Sequence, residues 1–146
     1  MGSFRMKKKK LEIFKKKSMG KRLWGKEILI GLVSKKYSIK KLIMKAGFKG
    51  GLQYHRKKDE CGYLLSGKLL IRYDDGSGSL NNKILKAGDC FHLPPGFVHQ
   101  EEALTDCEII EISTPHFNDR VRVEKKYGIK CEEGLPTTNY SEIIEK

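Results

Sequence analysis

The feature that most limits the fold of this sequence is a series of short alternating segments between Trp24 and Thr114. Apolar and polar residues alternate within the segments, and clusters of Gly, Asp, Asn and Pro separate them, as in β-strands joined by turns. The predicted strands are residues 27–33, 37–45, 51–55, 61–66, 68–73, 83–85, 90–93, 98–102 and 107–113. Nine short strands without a long helical pattern predict an all-β sandwich or barrel of antiparallel strands.

Lysine and arginine concentrate at the N-terminus of the 146-residue chain. Residues 1–50 hold seventeen Lys and Arg against two Glu, a net charge of +15, whereas residues 51–146 carry −3, which gives +12 overall. Such a basic arm attracts nucleic acid or anionic surfaces only non-specifically. Because the arm lacks the interleaved aromatic or Gly-rich patterns of RNA-binding segments, we interpret it as a solvated extension and predict no nucleic-acid partner.

The remaining composition indicates a cytoplasmic protein without a membrane partner. No apolar run approaches the roughly 18 residues that span a membrane, and no secretory signal follows the basic N-terminus. The four cysteines form no CxxC pair, which argues against a zinc finger. Because Cys61, Cys90 and Cys107 lie within apolar strand segments, we predict buried free thiols in a reducing compartment.

Several metal-ligating side chains fall at positions that strands and turns can aim at one point. The chain contains four histidines, at positions 55, 92, 99 and 116. Gln53 and His55 are two residues apart on a predicted strand, so they project from the same face. Glu60 enters the next strand after a polar turn, and His99 begins a strand directly after the stiff turn at residues 94–96.

This set of donors predicts a metal site inside the barrel. Two imidazoles and one carboxylate, from His55, His99 and Glu60, form a three-ligand face that leaves positions open for water or substrate. Gln53 adds a carbonyl oxygen. The donors suit one divalent transition metal ion, and they do not choose among Zn, Mn, Fe, Ni and Co.

Two spacings in the sequence resemble the conserved motifs of the cupin family. The second cupin motif, G-x5-P-x-G-x2-H, is matched by Gly88, Pro94, Gly96 and His99. The first motif, H-x-H-x4-E-x6-G, is matched by His55, Glu60 and Gly67, with Gln53 in place of the first histidine. The resemblance implies a double-stranded β-helix, also called a jelly-roll or cupin barrel, with the metal inside.

Further segments resemble phosphomannose isomerase-type cupins, above all the cupin domain that follows the guanylyltransferase domain of bifunctional type II enzymes. These segments are RLWGKEILI at 22–30, LQYHRKKDE at 52–60 and EIIEISTPHFNDRVRVEKKYG at 108–128. The last keeps Arg122, Glu124, Tyr127 and Gly128 of that group. The extent of the resemblance divides the chain into a basic arm at 1–21, a cupin domain at 22–128 and a short polar C-terminal tail at 129–146.

The resemblance implies a metal-dependent aldose–ketose isomerase that acts on a sugar or sugar phosphate, in which the metal stabilises an enediolate. Glu60 is then a candidate base, and Lys58 and Arg122 are candidates to bind phosphate or hydroxyl groups. His92 is a candidate general acid that faces the pocket, and Gly62, where the family has an aromatic residue, would enlarge the pocket. Cupins commonly pair through sheet edges, so we expect a homodimer.

Two other functions remain open at this point. His55, Glu60 and His99 also match the face that binds Fe(II) in dioxygenases. A non-catalytic cupin that binds a sugar or sugar nucleotide is the other alternative. It is favoured by the residue after His99, which is Gln100 where the isomerases commonly have Arg.

Overall fold

Eleven strands and one short 3₁₀ helix make up the part of the chain that the computed structural model describes, residues 6–131. The strands are β1 (Lys17–Arg22), β2 (Gly25–Val33), β3 (Tyr37–Met44), β4 (Gln53–His55), β5 (Glu60–Ser66), β6 (Lys68–Tyr73), β7 (Asn81–Lys86), β8 (Cys90–Leu93), β9 (His99–Ala103), β10 (Cys107–Ser113) and β11 (Arg120–Arg122). The 3₁₀ helix is Glu124–Tyr127. Within residues 6–131, no helix is long and apolar enough to cross a membrane.

The strands form two antiparallel sheets. One sheet has six strands in the order β1-β2-β3-β10-β5-β8, and the other has five in the order β11-β4-β9-β6-β7. Strands distant in sequence are neighbours in both sheets, as in a double-stranded β-helix, and the predicted all-β jelly-roll barrel is therefore confirmed.

Each of the nine predicted strands overlaps an observed strand, and the structure adds one at each end of the series. The added strand β1 begins at Lys17, so the sheet extends into the predicted basic arm. The other, β11, pairs with β4. Most of the predicted C-terminal tail, from residue 132 onward, and residues 1–5 lie outside the described residues.

Alternation along the strands builds an apolar core between the sheets. The core consists of Leu42, Met44, Leu64, Leu69, Ile71, Leu85, Ala103, Cys107 and Ile109. These residues come from strands of both sheets, and every second residue of each strand points inward. Their burial is the main source of stability for a domain of this size.

The same alternation places charged side chains inward at one end of the barrel. β3 buries Ser38 and Lys40 at one end and Leu42 and Met44 at the other. β10 runs antiparallel to β3, and its register sets Glu111 directly across from Lys40. Polar inward positions of neighbouring strands therefore gather in one half of the barrel, and apolar ones gather in the other.

The cysteine prediction is only partly correct. Cys107 is buried in the core, but Cys61 and Cys90 are exposed. They alternate with inward residues of β5 and β8, so their thiols lie on the outer face of the six-stranded sheet. An apolar run did not distinguish the two faces of these strands.

Candidate metal centre

Three of the predicted ligands meet inside the polar half of the barrel. Ligand atoms of His55, Glu60 and His99 all lie within 4.8 Å of one another, and the three residues are buried. Nε2 of His55 lies 3.8 Å from Glu60 Oε1, and Nε2 of His99 lies 3.5 Å from the same oxygen. Donors that bind one ion tetrahedrally at about 2.1 Å are about 3.4 Å apart. The three donors therefore fit a single transition metal ion.

The turn before His99 ties the two histidine strands together. Gln53 on β4 is the cross-strand partner of His99 on β9. The backbone N–H of Gly96 donates a hydrogen bond of 2.7 Å to the carbonyl of His55. Gly96 has φ of 81°, a left-handed conformation that glycine adopts readily. The stiff turn thus fixes His55 and His99 relative to each other.

A buried carboxylate orients His55. Nδ1 of His55 lies 2.9 Å from Oδ1 of Asp119, whose Oδ2 accepts hydrogen bonds of 2.7 and 2.8 Å from the backbone N–H groups of Lys57 and Lys58. Burial alone would raise the pKa of Asp119, but the hydrogen bonds from His55 and the two backbone groups lower it to about 2. The ionised carboxylate holds a proton on Nδ1 and turns Nε2 of His55 toward Glu60.

His99 is oriented in the same way by a backbone carbonyl. Its Nδ1 donates a 2.9 Å hydrogen bond to the carbonyl of Phe97, so the lone pair of the neutral ring is on Nε2. Burial is the largest cause that lowers the pKa of both histidines, and it takes the pKa of His99 to about 4. Both rings are therefore neutral near pH 7, which is the form that binds a metal.

A cavity of about 100 Å³ adjoins the three donors. Gln53 lines it, as predicted, together with Trp24, Leu42 and Met44 from the apolar side. Its charged lining residues are Arg22, Glu27, Lys58, Glu60, Glu101, Glu111 and Arg120. Such a density of buried charge is costly in a folded protein and is typical of functional sites.

Alternating charges run from Glu60 along one wall of the barrel. The nitrogen–oxygen distances are 2.8 Å for Lys58–Glu60, 3.2 Å for Lys58–Glu111, 3.9 Å for Lys40–Glu111, 2.8 Å for Lys40–Glu27 and 3.2 Å for Arg22–Glu27. Burial opposes the charge of Lys58, but Glu111 and Glu60 outweigh it and raise the pKa of this ammonium. Lys58 in turn lowers the pKa of Glu60 against the effect of burial. The carboxylate of Glu60 is thus kept ionised, as a metal ligand must be.

Two other carboxyl groups of the cavity have raised pKa values. Burial, followed by the charges of Glu60 and Glu111, raises the pKa of Glu101 to about 8. Burial and the charge of Glu60 also raise the pKa of Glu111, whose Oε2 has no hydrogen-bond partner among the described residues. Near pH 7 the cavity therefore contains a proton donor, Glu101, that is not part of the three-donor cluster.

His92 was predicted to face the pocket, but it does not line the cavity. Its side chain is 57% exposed, and its Nε2 lies 2.6 Å from Asp59 Oδ1. The neighbours that point inward from β8 are Phe91 and Leu93, because alternate residues of a strand face opposite sides. His92 therefore lies on the outer face of the sheet, away from the cavity, and is no longer a candidate general acid.

Arg122 and Lys58 were predicted to bind phosphate or hydroxyl groups of a substrate, but each is paired with carboxylates of the chain itself. The guanidinium of Arg122 is held by Glu124, with Nε 2.9 and 2.8 Å from the two carboxylate oxygens, and Glu124 is fully buried. Arg122 packs across Gly51, where a Cβ would come within 2.3 Å of its Nε. Lys58 lies in the cavity, but Glu60 and Glu111 neutralise it.

The prediction that Gly62 enlarges the pocket is wrong. The ring of Phe91, from the neighbouring strand β8, occupies the space, and a Cβ on Gly62 would come within 2.2 Å of it. An aromatic ring from a different strand thus fills the space beside Gly62.

The sequence pattern missed several residues of the site. Glu101 is two positions after His99 on β9, so both side chains face the same side of the sheet. Glu111 is two positions after the buried Ile109 on β10, so it also faces inward. The two-residue period of the predicted strands could therefore have identified both residues. The sequence contained no such signal for Asp119 and Arg120, because they reach the site only through the pairing of β11 with β4.

The fold and these residues define a class of protein: a jelly-roll barrel with a candidate centre of two histidines and one carboxylate. Residues 41–113 match the cupin domain family. The chain therefore belongs to the cupin family, as its motifs predicted. No curated protein sequence matches it.

Solved structures share the fold at low sequence identity. KdgF from Halomonas sp. superposes with a TM-score of 0.59 at 18% identity, over 68% of this chain and 87% of KdgF. The capsular polysaccharide assembling protein CapF from Staphylococcus aureus gives 0.65 at 18% identity, over 75% of this chain and 32% of CapF. Oxalate decarboxylase from Lactobacillus farciminis gives 0.61 at 16% identity, over 75% of this chain and 34% of the enzyme. Because these proteins differ in kind, the likeness shows the fold alone.

Proposed function

We propose that this cupin is a metal-dependent enzyme that moves a proton between neighbouring carbon atoms of a sugar or sugar phosphate, as an aldose–ketose isomerase does. The observation that carries the proposal is Glu101. This carboxyl group lies in the cavity wall beside the three metal donors, and its pKa is raised to about 8. A group that exchanges protons near neutral pH is what a proton transfer needs.

The metal would be held by His55, Glu60 and His99, with Gln53 beside them. The neutral histidines and the ionised carboxylate suit one divalent transition metal ion, Zn, Mn, Fe, Ni or Co. Such an ion, when bound, polarises a carbonyl group and stabilises the negative charge that develops on its oxygen.

The charged residues then have separate tasks. Lys58 keeps Glu60 ionised, so Glu60 serves as a ligand and not as the base that the sequence suggested. Glu101 takes up and returns the substrate proton. The apolar side chains of Trp24 and Leu42 line the same cavity, and the lower local polarity strengthens the charge interactions there.

Deuterium exchange tests the proposal directly. The protein is incubated with mannose or mannose 6-phosphate in D₂O, and proton NMR follows the C2 hydrogen and the appearance of the ketose. We expect Glu101→Gln to slow the exchange by about 100-fold. The matched control is Glu102→Gln, because Glu102 is the next residue of β9 and instead lies 3.3 Å from Arg72. Equal rates for the two variants would remove Glu101 from the mechanism.

An Fe(II) dioxygenase is a second candidate, because two histidines and one carboxylate are the donors that such enzymes use. Substrate-dependent oxygen uptake by iron-loaded protein, without C2 exchange, would support it. Metal and sugar binding without either reaction would support a non-catalytic sugar-binding cupin.

A homodimer is our proposal for the assembly. Tyr63, Leu65 and Ile112 are 42%, 46% and 51% exposed on neighbouring strands of the six-stranded sheet. Because an exposed apolar sheet face is a common subunit interface, we expect light scattering to give twice the chain mass. A monomer at micromolar concentration would contradict the proposal.

A further inference from the structure

Within the described residues, the guanidinium of Arg120 lacks the ion-pair partner that the other cations lining the cavity have. Arg22 and Lys58, which also line the cavity, form ion pairs with Glu27 and with Glu60 and Glu111. Arg120 makes no side-chain hydrogen bond or ion pair within residues 6–131. A half-buried guanidinium has five N–H groups to satisfy, so this one is suited to a ligand.

The strand pairing aims Arg120 at the metal centre. Arg120 lies directly across from His55 in the β4–β11 pair, so both side chains project from the same face of the sheet. Adjacent strands are about 4.8 Å apart. A ligand oxygen held by Arg120 would therefore lie near the three metal donors.

Arg22 and Glu27 are the charged side chains that act most strongly on Arg120. Burial is the largest cause that lowers the pKa of Arg120, and the nearby charge of Arg22 lowers it further, although Glu27 acts in the opposite sense. Because Arg22 is already paired with Glu27, Arg120 is the guanidinium of the two that a ligand anion can bind.

The charge balance of the cavity points the same way. Its described lining holds three cationic side chains and four carboxyl groups. A divalent metal ion would change this slight negative excess into a positive one. The loaded cavity is thus complementary to an anionic ligand.

We infer that Arg120 is the receptor for an oxyanion of the substrate, a carboxylate or a phosphate. The inference refines the proposed function, because it adds the substrate class for the same cavity. It also replaces the sequence-based candidates Lys58 and Arg122, whose charges are already neutralised. The planar guanidinium can bind either anion through two parallel hydrogen bonds.

Three small polyols of matched length test this inference without turnover. Glycerol is neutral, glycerate carries a carboxylate, and glycerol 3-phosphate carries a phosphate. Their affinities for the protein as purified are measured by titration in ¹H–¹⁵N NMR spectra. The variants are Arg120→Gln and Arg120→Lys. The control is Arg72→Gln, because Arg72 pairs with Glu102 and does not line the cavity.

We expect at least one of the two anions to bind wild type and Arg72→Gln about tenfold more tightly than glycerol does. The advantage should disappear in Arg120→Gln and return in part in Arg120→Lys, which keeps the charge. The better of the two anions then identifies the group as carboxylate or phosphate.

Equal binding of glycerol and both anions to wild type would overturn the inference. So would an anion preference that persists in Arg120→Gln. Because binding is measured in the absence of a reaction, a failed isomerase test with an intact anion preference would reject the proposed function alone.

Discussion

The two halves of the barrel use one pattern of alternation for opposite purposes. In the apolar half, inward residues such as Leu64, Leu69 and Ile109 form a core that is almost completely shielded from solvent. In the polar half, the continuation of the same strands turns charged groups such as Lys40 and Glu111 inward. The backbone is alike in both halves, so the side chains alone decide which half forms the apolar core and which half forms the candidate metal centre.

The difference shows how a small barrel can afford a charged interior. Burial of apolar area in one half offsets the desolvation of ions in the other. Within the polar half, alternating charges and shared protons reduce the cost, because each buried carboxylate has a cation or a proton beside it. We expect substitutions to have different signatures in the two halves.

We expect the largest loss of stability when the central cation of the polar half, Lys58, is removed. Lys58→Met leaves Glu60 and Glu111 buried without their shared partner, and it should lower the free energy of unfolding by about 3–5 kcal/mol in urea titrations of metal-free protein. The control is Lys41→Met, since the Lys41–Glu108 pair is at the surface with side chains 31% and 38% exposed. That variant should lose less than about 1 kcal/mol. Equal losses of unfolding free energy in the two variants would show that the buried ion pairs of Lys58 stabilise the fold no more than a surface pair does.

A cavity in the apolar half should reduce stability but leave the metal site intact. Leu64 is fully buried, and Leu64→Ala should cost about 2–5 kcal/mol in the same urea titration. Metal content per folded chain should equal that of wild type, because Leu64 does not line the cavity of the site. Loss of metal from folded Leu64→Ala would contradict the separation of the two halves.

A smaller effect is expected from the residue behind His55. Asp119→Asn retains an acceptor for Nδ1 of His55 but removes the negative charge, so metal affinity should fall by about 10- to 100-fold in chelator competition. Asp106→Asn is a suitable control, because Asp106 accepts a hydrogen bond from Ala46 at an exposed site. An unchanged affinity in Asp119→Asn would show that Asp119 has only a structural role.

The smallest expected effect is a pH dependence caused by Glu101. Its pKa is raised from 4.5 to about 8, so the folded chain keeps a proton that the unfolded chain releases. Stability of the metal-free protein should therefore fall as the pH rises, by about 1 kcal/mol between about pH 6.5 and 7.5. The fall should vanish in Glu101→Gln and persist in Glu102→Gln. A wild-type protein with no such slope would contradict the raised pKa.

Much of the fold was predictable, because alternation and turn residues are local signals. The strands from residue 27 to 113 were predicted, and the spacing of His55, Glu60 and His99 identified the residues that meet inside the barrel. The outward side of β8 was not predictable from its composition, so His92 was assigned to the pocket. Alternation has two phases, and a four-residue strand does not show which one is buried.

The ion-pair partners of the charged residues could not be predicted from the sequence, for a different reason. Lys58 and Arg122 were predicted to bind phosphate or hydroxyl groups. A carboxylate partner such as Glu111 on β10 is brought close to Lys58 only when the sheets form. Arg120 shows the converse, because nothing local distinguishes it from any other surface arginine. A cation is a candidate for ligand binding only when its neighbours leave it unpaired.

Metal content is the measurement that tests the central claim most directly. Untagged wild type is compared with His99→Ala, Glu60→Ala and, as an outward-facing control, His92→Ala, by mass spectrometry. We expect about one transition metal ion per chain in wild type and in His92→Ala, and its loss in the other two variants, because the three donors bind as a set. A wild-type protein without metal even after reconstitution, or folded variants that keep it, would contradict a metal centre built from His55, Glu60 and His99.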